Sequence, residues 1–164
     1  MTTSELRKIW IVHDIDETSV SINGYKGTEL ELVIPEKIGT KKVTRIGQRA
    51  FRPESHKAQK KVYQNIKSVI LPDSVFEIGS EAFEGCKELI SISLPQKLRT
   101  IQYSCFANCG SLKEITIPES VGALNMNVFA GCKSLEHCIL LSDETTITNG
   151  AFSNCSSLKE LCLL

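Results

Sequence analysis

Residues 66–88 read IKSVILPDSVFEIGSEAFEGCKE, residues 89–111 read LISISLPQKLRTIQYSCFANCGS, and residues 112–134 read LKEITIPESVGALNMNVFAGCKS. Laid over one another, the three stretches share apolar residues at the first, fourth, sixth, tenth, thirteenth and eighteenth places and a proline at the seventh. Phe83, Phe106, Phe129 and Phe152 keep an unbroken spacing of 23 residues, and three places after each comes Cys86, Cys109, Cys132 or Cys155. A fixed period in this range marks a solenoid, whose units cover one another's apolar faces. The apolar positions of one coil do not offset the entropy of ordering its backbone, so a coil does not fold alone and stacking is obligatory.

Within a unit the opening segment alternates. Leu112, Ile115 and Ile117 sit where a short extended strand would point them, and Ile115 and Ile117 alternate with Glu114 and Thr116, which turn the other way, the period of two expected of a half-buried strand. Pro72, Pro95 and Pro118 follow directly, and proline, lacking a ladder donor, belongs at a strand end. Beyond it Val75 and Ile78, Leu98 and Ile101, and Val121 and Leu124 are spaced to point inward along a second extended or turn-like run, so each unit is a flattened coil. The expected fold class is a mainly β repeat solenoid with a core of two apolar rows and a phenylalanine stack of Phe51, Phe83, Phe106, Phe129 and Phe152.

The pattern L-x-x-I-x-[IL]-P-x-x-[VL]-x-x-I-x-x-x-A-F-x-x-C resembles the BspA-type leucine-rich repeats of bacterial surface proteins and some protists, over roughly residues 29–164. The resemblance implies a curved solenoid with a parallel sheet on its concave side, short strands or turns on its convex side, and binding of other macromolecules in place of catalysis. The copy at 135–157 departs from the pattern. Leu141 replaces the proline, Cys138 the fourth-place aliphatic, and Glu144 stands where an apolar residue is expected, which predicts an irregular second strand there.

Residues 29–164 are read as the solenoid, with the stretch from Leu30 to Phe51 as one unit carrying a five-residue excursion around Gly39-Thr40-Lys41-Lys42. An insertion at 52–65, RPESHKAQKKVYQN, lengthens the usual six-residue step from phenylalanine to the next strand to fifteen and has no repeat character. Residues 1–28 are read as an N-terminal cap: Ile9 to Val12 and Val20 with Ile22 form two apolar runs joined by a polar turn, a β-hairpin that hides the first coil's core face. The pattern breaks off within a repeat at Leu161-Cys162-Leu163-Leu164, and the truncated last repeat predicts either a longer natural protein or end-to-end self-association.

With 41% hydrophobic and 23% charged residues among 164, the composition is that of an ordinary folded domain. No run of 18 apolar residues would span a membrane. The amino-terminal MTTSELRKIWIVHD has no basic segment followed by a long apolar core, so it carries no signal peptide pattern. The compartment stays open: cell surface or extracellular by the resemblance, with seven cysteines, an odd count, leaning to a reducing one. Four of these, Cys86, Cys109, Cys132 and Cys155, are expected as a ladder of free thiols, because side chains in register run parallel and do not turn toward each other as a disulfide requires. No C-x₂-C pair, phosphate-binding glycine loop or G-x-S-x-G occurs, and His13, His56 and His137 fall in three separate contexts, so no catalytic residue, metal site or cofactor is assigned.

The outward places of the first strands form columns, and these are the candidate binding positions. They are Lys67, Ile90, Lys113 and Glu136 at the second place, and Ile70, Ser93, Thr116 and Ile139 at the fifth. A protein partner recognised in an adhesin-like manner is the reading preferred; a scaffolding solenoid within a longer, intracellular protein is the alternative. A second candidate contact is the basic loop, where Arg52, Lys57, Lys60 and Lys61 stand against Glu54 and could meet an acidic partner. One short basic loop without interleaved aromatics is too small a footprint for nucleic acid.

Overall fold

The structure, a computed structural model, describes residues 1–164. Each unit from residue 66 to 157 lays down one strand of three or four residues after its opening aliphatic and one strand of two residues after its tenth place. The strands in chain order are β1 (Trp10–Asp14), β2 (Ser19–Tyr25), β3 (Glu31–Val33), β4 (Lys37–Ile38), β5 (Lys41–Ile46), β6 (Ser68–Ile70), β7 (Glu77–Ile78), β8 (Ser91–Ser93), β9 (Thr100–Ile101), β10 (Glu114–Ile117), β11 (Ala123–Leu124), β12 (His137–Leu140), β13 (Thr146–Ile147) and β14 (Glu160–Leu163).

Two kinds of sheet result. The second strands join the N-terminal hairpin in one path, β1-β2-β5-β7-β9-β11-β13, parallel from β2 onward, with β4 folded back on β5. The first strands form two separate parallel sheets, β3-β6-β8 and β10-β12-β14. Between them lies a single core of 38 residues. Along it Phe51, Phe83, Phe106, Phe129 and Phe152 stack nearly parallel, with centroids 5.0, 5.6, 5.5 and 5.4 Å apart. The first four rings are fully buried and Phe152 is half-buried.

The cysteine of each unit closes that stack. The thiols of Cys86, Cys109, Cys132 and Cys155 donate to the backbone carbonyls of Phe51, Phe83, Phe106 and Phe129, each in the preceding coil, at 3.4, 3.2, 3.1 and 3.1 Å. At Phe83, Phe106 and Phe129 the carbonyl also accepts from the amide of Cys86, Cys109 or Cys132 in its own turn, so the thiol, a weak donor, takes the second acceptor position and links one coil to the next. All seven cysteines are free.

Each unit turns at two left-handed residues. Arg49, Glu81, Ser104, Asn127 and Gly150 occupy the sixteenth place, and Gly85, Asn108, Gly131 and Asn154 the twentieth, all with φ between 52° and 79°. Gly and Asn alternate at the twentieth place, the two residue types that adopt a positive φ most readily, and a Cβ on Gly131 would press to 2.5 Å from Asn108 Oδ1 in the coil below unless that side chain turned away. At the sixteenth place two long side chains are accommodated by pairing: Arg49 Nε donates to Glu81 Oε2 at 2.9 Å.

Two expectations change. Ile9, read as the start of a strand, ends a helix, α1 (Thr3–Ile9), whose capping box has Thr2 accepting from the Glu5 amide while the Glu5 carboxylate accepts from the Thr2 amide. The second strand of the 135–157 copy is regular: Thr146 pairs with Ala123 and Ile147 with Leu124. Glu144 stays exposed, and the next residue, Thr145, turns inward and donates its hydroxyl to the Val121 carbonyl, so one residue's displacement absorbs the charge. The insertion 52–65 is ordered as two 3-10 turns (Pro53–Ser55 and Lys57–Gln59) and a helix, α2 (Lys60–Asn65). Tyr63 of α2 is fully buried; its hydroxyl donates to the Tyr25 carbonyl at 3.0 Å and accepts from the Tyr25 amide at 2.8 Å. The insertion therefore ties the hairpin to the first coils.

Candidate binding surface on the first-strand sheets

Strand register places equivalent residues side by side. Ser68 faces Ser91 and Ile70 faces Ser93 across β6 and β8; Glu114, Thr116 and Ile117 face His137, Ile139 and Leu140 across β10 and β12; His137 and Ile139 face Glu160 and Cys162 across β12 and β14. Lys67, Ile70, Ile90, Ser93, Lys113 and Thr116 are exposed, and Glu136 and Ile139 half-buried. These candidate residues thus share one face, but the columns do not form the one continuous surface that stacking predicts.

The interruption lies between β8 and β10. Elsewhere the second-place amide donates to the second-place carbonyl of the preceding coil: Lys67 to Leu30 at 2.7 Å, Ile90 to Lys67 at 2.8 Å, Glu136 to Lys113 at 2.8 Å and Lys159 to Glu136 at 3.0 Å. The bond from Lys113 to Ile90 is missing. So is the one from the sixth-place amide of Leu94 to Thr116, whose counterparts are Ile34 to Ile70 at 3.0 Å and Leu71 to Ser93 at 3.3 Å. The fourth-place residue there is opened as well: Val69, Ile115 and Cys138 are buried to within 2%, whereas Ile92 is only half-buried. A cavity of about 330 Å³ fills the gap, with Ile90, Ile92 and Leu94 on one wall and Lys113, Glu114 and Thr116 on the other.

Cross-strand side-chain pairs do not by themselves account for the location. Glu136 pairs with Lys159, and His137 Nδ1 lies 3.7 Å from Glu160 Oε2. Across the opening the would-be pairs are Ser91 with Glu114 and Ser93 with Thr116, but Ser68 faces Glu31 and Ser91 in ladders that stay closed. The repeat pattern places Ile92 and Leu94 in the inward rows, and no letter in it marks the level at which they open to solvent.

The basic loop is differently disposed. Arg52 Nη1 lies 2.6 Å from Glu81 Oε2 and its Nε 3.1 Å from Glu84 Oε2; Lys60 Nζ lies 2.7 Å from Glu54 Oε1. Only Lys57 and Lys61 are left without a carboxylate within 4 Å. Hydrogen bonding from Arg49 holds the Glu81 carboxyl below its ordinary range, while burial pushes Glu84 up.

Chemistry on the five buried thiols is closed off. Burial pushes Cys132 and Cys138 up to about 12 and raises Cys86, Cys105 and Cys109 further. A protonated, buried thiol is neither nucleophile nor metal ligand. No three His, Cys, Asp or Glu side chains converge where they could hold a metal ion, and no helix is long and apolar enough to cross a membrane.

A family model for the BspA type leucine rich repeat region, in six copies, matches residues 55–163. The chain belongs to the BspA-type leucine-rich repeat family. Solved relatives share the solenoid. The T. pallidum leucine-rich repeat protein TpLRR is 31% identical, with a TM-score of 0.79 over 92% of this chain and 67% of its own. A leucine rich cell surface protein of Faecalibacterium prausnitzii A2-165 is 30% identical, with a TM-score of 0.77 over 93% of this chain and 37% of its own. A leucine-rich repeat protein of Bacteroides capillosus ATCC 29799 is 26% identical, with a TM-score of 0.63 over 93% of this chain and 92% of its own. No curated protein matches the sequence. Members of this BspA-type class of leucine-rich repeat are commonly binding modules, and the solved relatives are repeat proteins without an enzymatic description.

Proposed function

We propose that the chain is a non-catalytic binding module that receives a protein partner on the first-strand face, centred on the opening between β8 and β10. The observation that carries this reading is the coincidence of three features at one place: unpaired backbone groups on two adjacent strands, half-exposed core aliphatics, and a cavity bordered by Ile90, Ser93, Lys113 and Thr116. An extended segment of a partner offers backbone donors and acceptors to the first, and an apolar side chain to the second. Adhesin-like action at a cell surface goes with this reading, and the F. prausnitzii relative described as a cell surface protein supports it. The basic loop serves as a stapled part of the scaffold, and the exposed Leu161 and Leu163 of β14 offer a site for self-association.

The alternative, a scaffolding segment of an intracellular protein, draws on the seven free thiols. The two are separated by measuring binding of soluble extracellular-matrix proteins to the immobilised chain and to its Ile90→Asp, Thr116→Asp and Met126→Asp variants. The first two substitutions border the opening and the third is exposed outside it. Loss of at least about tenfold in affinity for the first two alone is expected of residues at the centre of an interface. Binding that is equal in all three variants overturns the placement.

A further inference from the structure

On the shoulder where each coil passes from its first to its second strand, a second cavity of about 460 Å³ gathers charge of one sign. Lys42, Lys97 and Arg99 line it, all exposed and none with a carboxylate within 4 Å, against the single acid Asp73. What distinguishes them is that three line one cavity in a chain whose formal net charge is zero. Stacking makes the arrangement linear. Lys42 and Lys97 hold the same place two coils apart with Ser74 between them, and Thr44 and Arg99 flank Phe76 in the same way, since the Phe76 amide donates to Thr44 and the Arg99 amide to Phe76. Two coil spacings amount to about 10 Å.

We infer that this shoulder binds an acidic polysaccharide. Lys97 and Arg99 share a coil while Lys42 stands two coils, about 10 Å along the backbone, away, so a chain carrying repeated carboxylate or sulfate groups meets all three in turn where one small anion engages only part of the set. The remaining groups choose among polyanions. The hydroxyls of Ser74 and Ser120 spend their protons on the carbonyls of Val43, Gln96 and Leu98, and Asp73 only accepts, so a polyanion that brings its own donors avoids setting like charge against Asp73. Sugar hydroxyls donate as well as accept; ionised glutamate or aspartate side chains and phosphodiesters bring acceptors. Phe76 is the one aromatic ring at the site, and the Arg45 guanidinium lies over it at 5.5 Å, which leaves little platform for stacked bases.

The test is affinity of the intact chain for immobilised heparin and polygalacturonate, with poly-glutamate, single-stranded DNA and neutral dextran as competitors. Triple replacement Lys42→Ser/Lys97→Ser/Arg99→Ser is compared with Lys61→Ser/Lys87→Ser/Lys133→Ser, which removes the same charge from exposed lysines outside the cavity. All six residues are exposed, and thermal unfolding verifies that both variants fold. The first variant is expected to lose at least about tenfold in affinity for one or both polysaccharides, the sum of three exposed charge contacts, with salt weakening the wild type further. Equal loss in the two variants, no retention of the wild type, or stronger competition by poly-glutamate or DNA than by the free polysaccharide overturns the assignment.

Discussion

The two sides of the coil differ in a way their strand lengths do not foretell. Strands of two residues, β7, β9, β11 and β13, continue one sheet through every level of the solenoid, while the longer first strands part between β8 and β10. Continuity is therefore set by what stands behind and beside a strand, not by how many ladder bonds it could make. The second strands are backed by Ile46, Ile78, Ile101 and Leu124, every one buried to within 1%. On the other side the fourth-place row, Val69, Ile92, Ile115 and Cys138, is broken at Ile92. The separation stops short of the core, because Phe106 and Phe129 keep a 5.5 Å spacing across the same level. Even so, the second sheet narrows there: β9 and β11 share the single pair Ile101 and Leu124, where β7 and β9 share two.

Truncation along the fourth-place row gives the widest contrast. Ile115→Ala should cost about 2–5 kcal/mol, as for a closed core site, and Ile92→Ala about 1 kcal/mol, because Ile92 is already partly exposed and leaves less of a closed cavity. Denaturant unfolding of both measures the difference; equal costs would mean that the two levels are packed alike.

A smaller effect is expected at the sixteenth place, where Arg49 and Glu81 join two coils. Glu81 is 12% exposed and accepts from both Arg49 and Arg52. Its replacement by Gln should cost roughly 2 kcal/mol at neutral pH, as for a hydrogen bond to a charged group. Because its carboxyl is held below the ordinary 4.5, the unfolded chain binds the proton more readily. The stability Glu81 provides is thus present above that value and is lost as pH falls through and below it. Stability of wild type and Glu81→Gln measured from neutral to acid pH should converge at the acid end; a constant gap would show that the charge is not its source.

The finest probe leaves stability untouched. Amide hydrogen exchange of Lys113 and Leu94, which have no partner across the opening, should be faster than that of Glu136 and Leu71, which do. Equal protection would close the opening and remove the centre of the proposed binding surface. Addition of a ligand there should slow Lys113 and Leu94 selectively.

Much of this molecule could be read in its letters. The 23-residue spacing of phenylalanine and cysteine led to a stack whose rings lie 5.0–5.6 Å apart and to a thiol ladder, because a periodic sequence allows each side chain one kind of neighbour, its own counterpart. The N-terminal helix was legible as well, in Thr2 and Glu5 three residues apart before an apolar run, and was passed over in favour of the hairpin that follows. Tyr63 was not legible as a core residue. It sits in a stretch of charged and polar residues, and its partner Tyr25 is 38 positions away.

What the sequence determined by itself is the coil, its period and the contents of its interior, since these follow from apolar spacing and from the obligation of each unit to cover the next. What the tertiary structure decided is where that regular stack fails to close and which charges stay unpaired. Both depend on residues that meet only across coils: Ile92 and Leu94 across from Lys113 and Glu114, arginines consumed by Glu81 and Glu84, and Lys42, Lys97 and Arg99 left facing solvent together. Repetition fixes the neighbours of a buried side chain, but an exposed one is under no such constraint, and its environment emerges only when the coils are laid side by side.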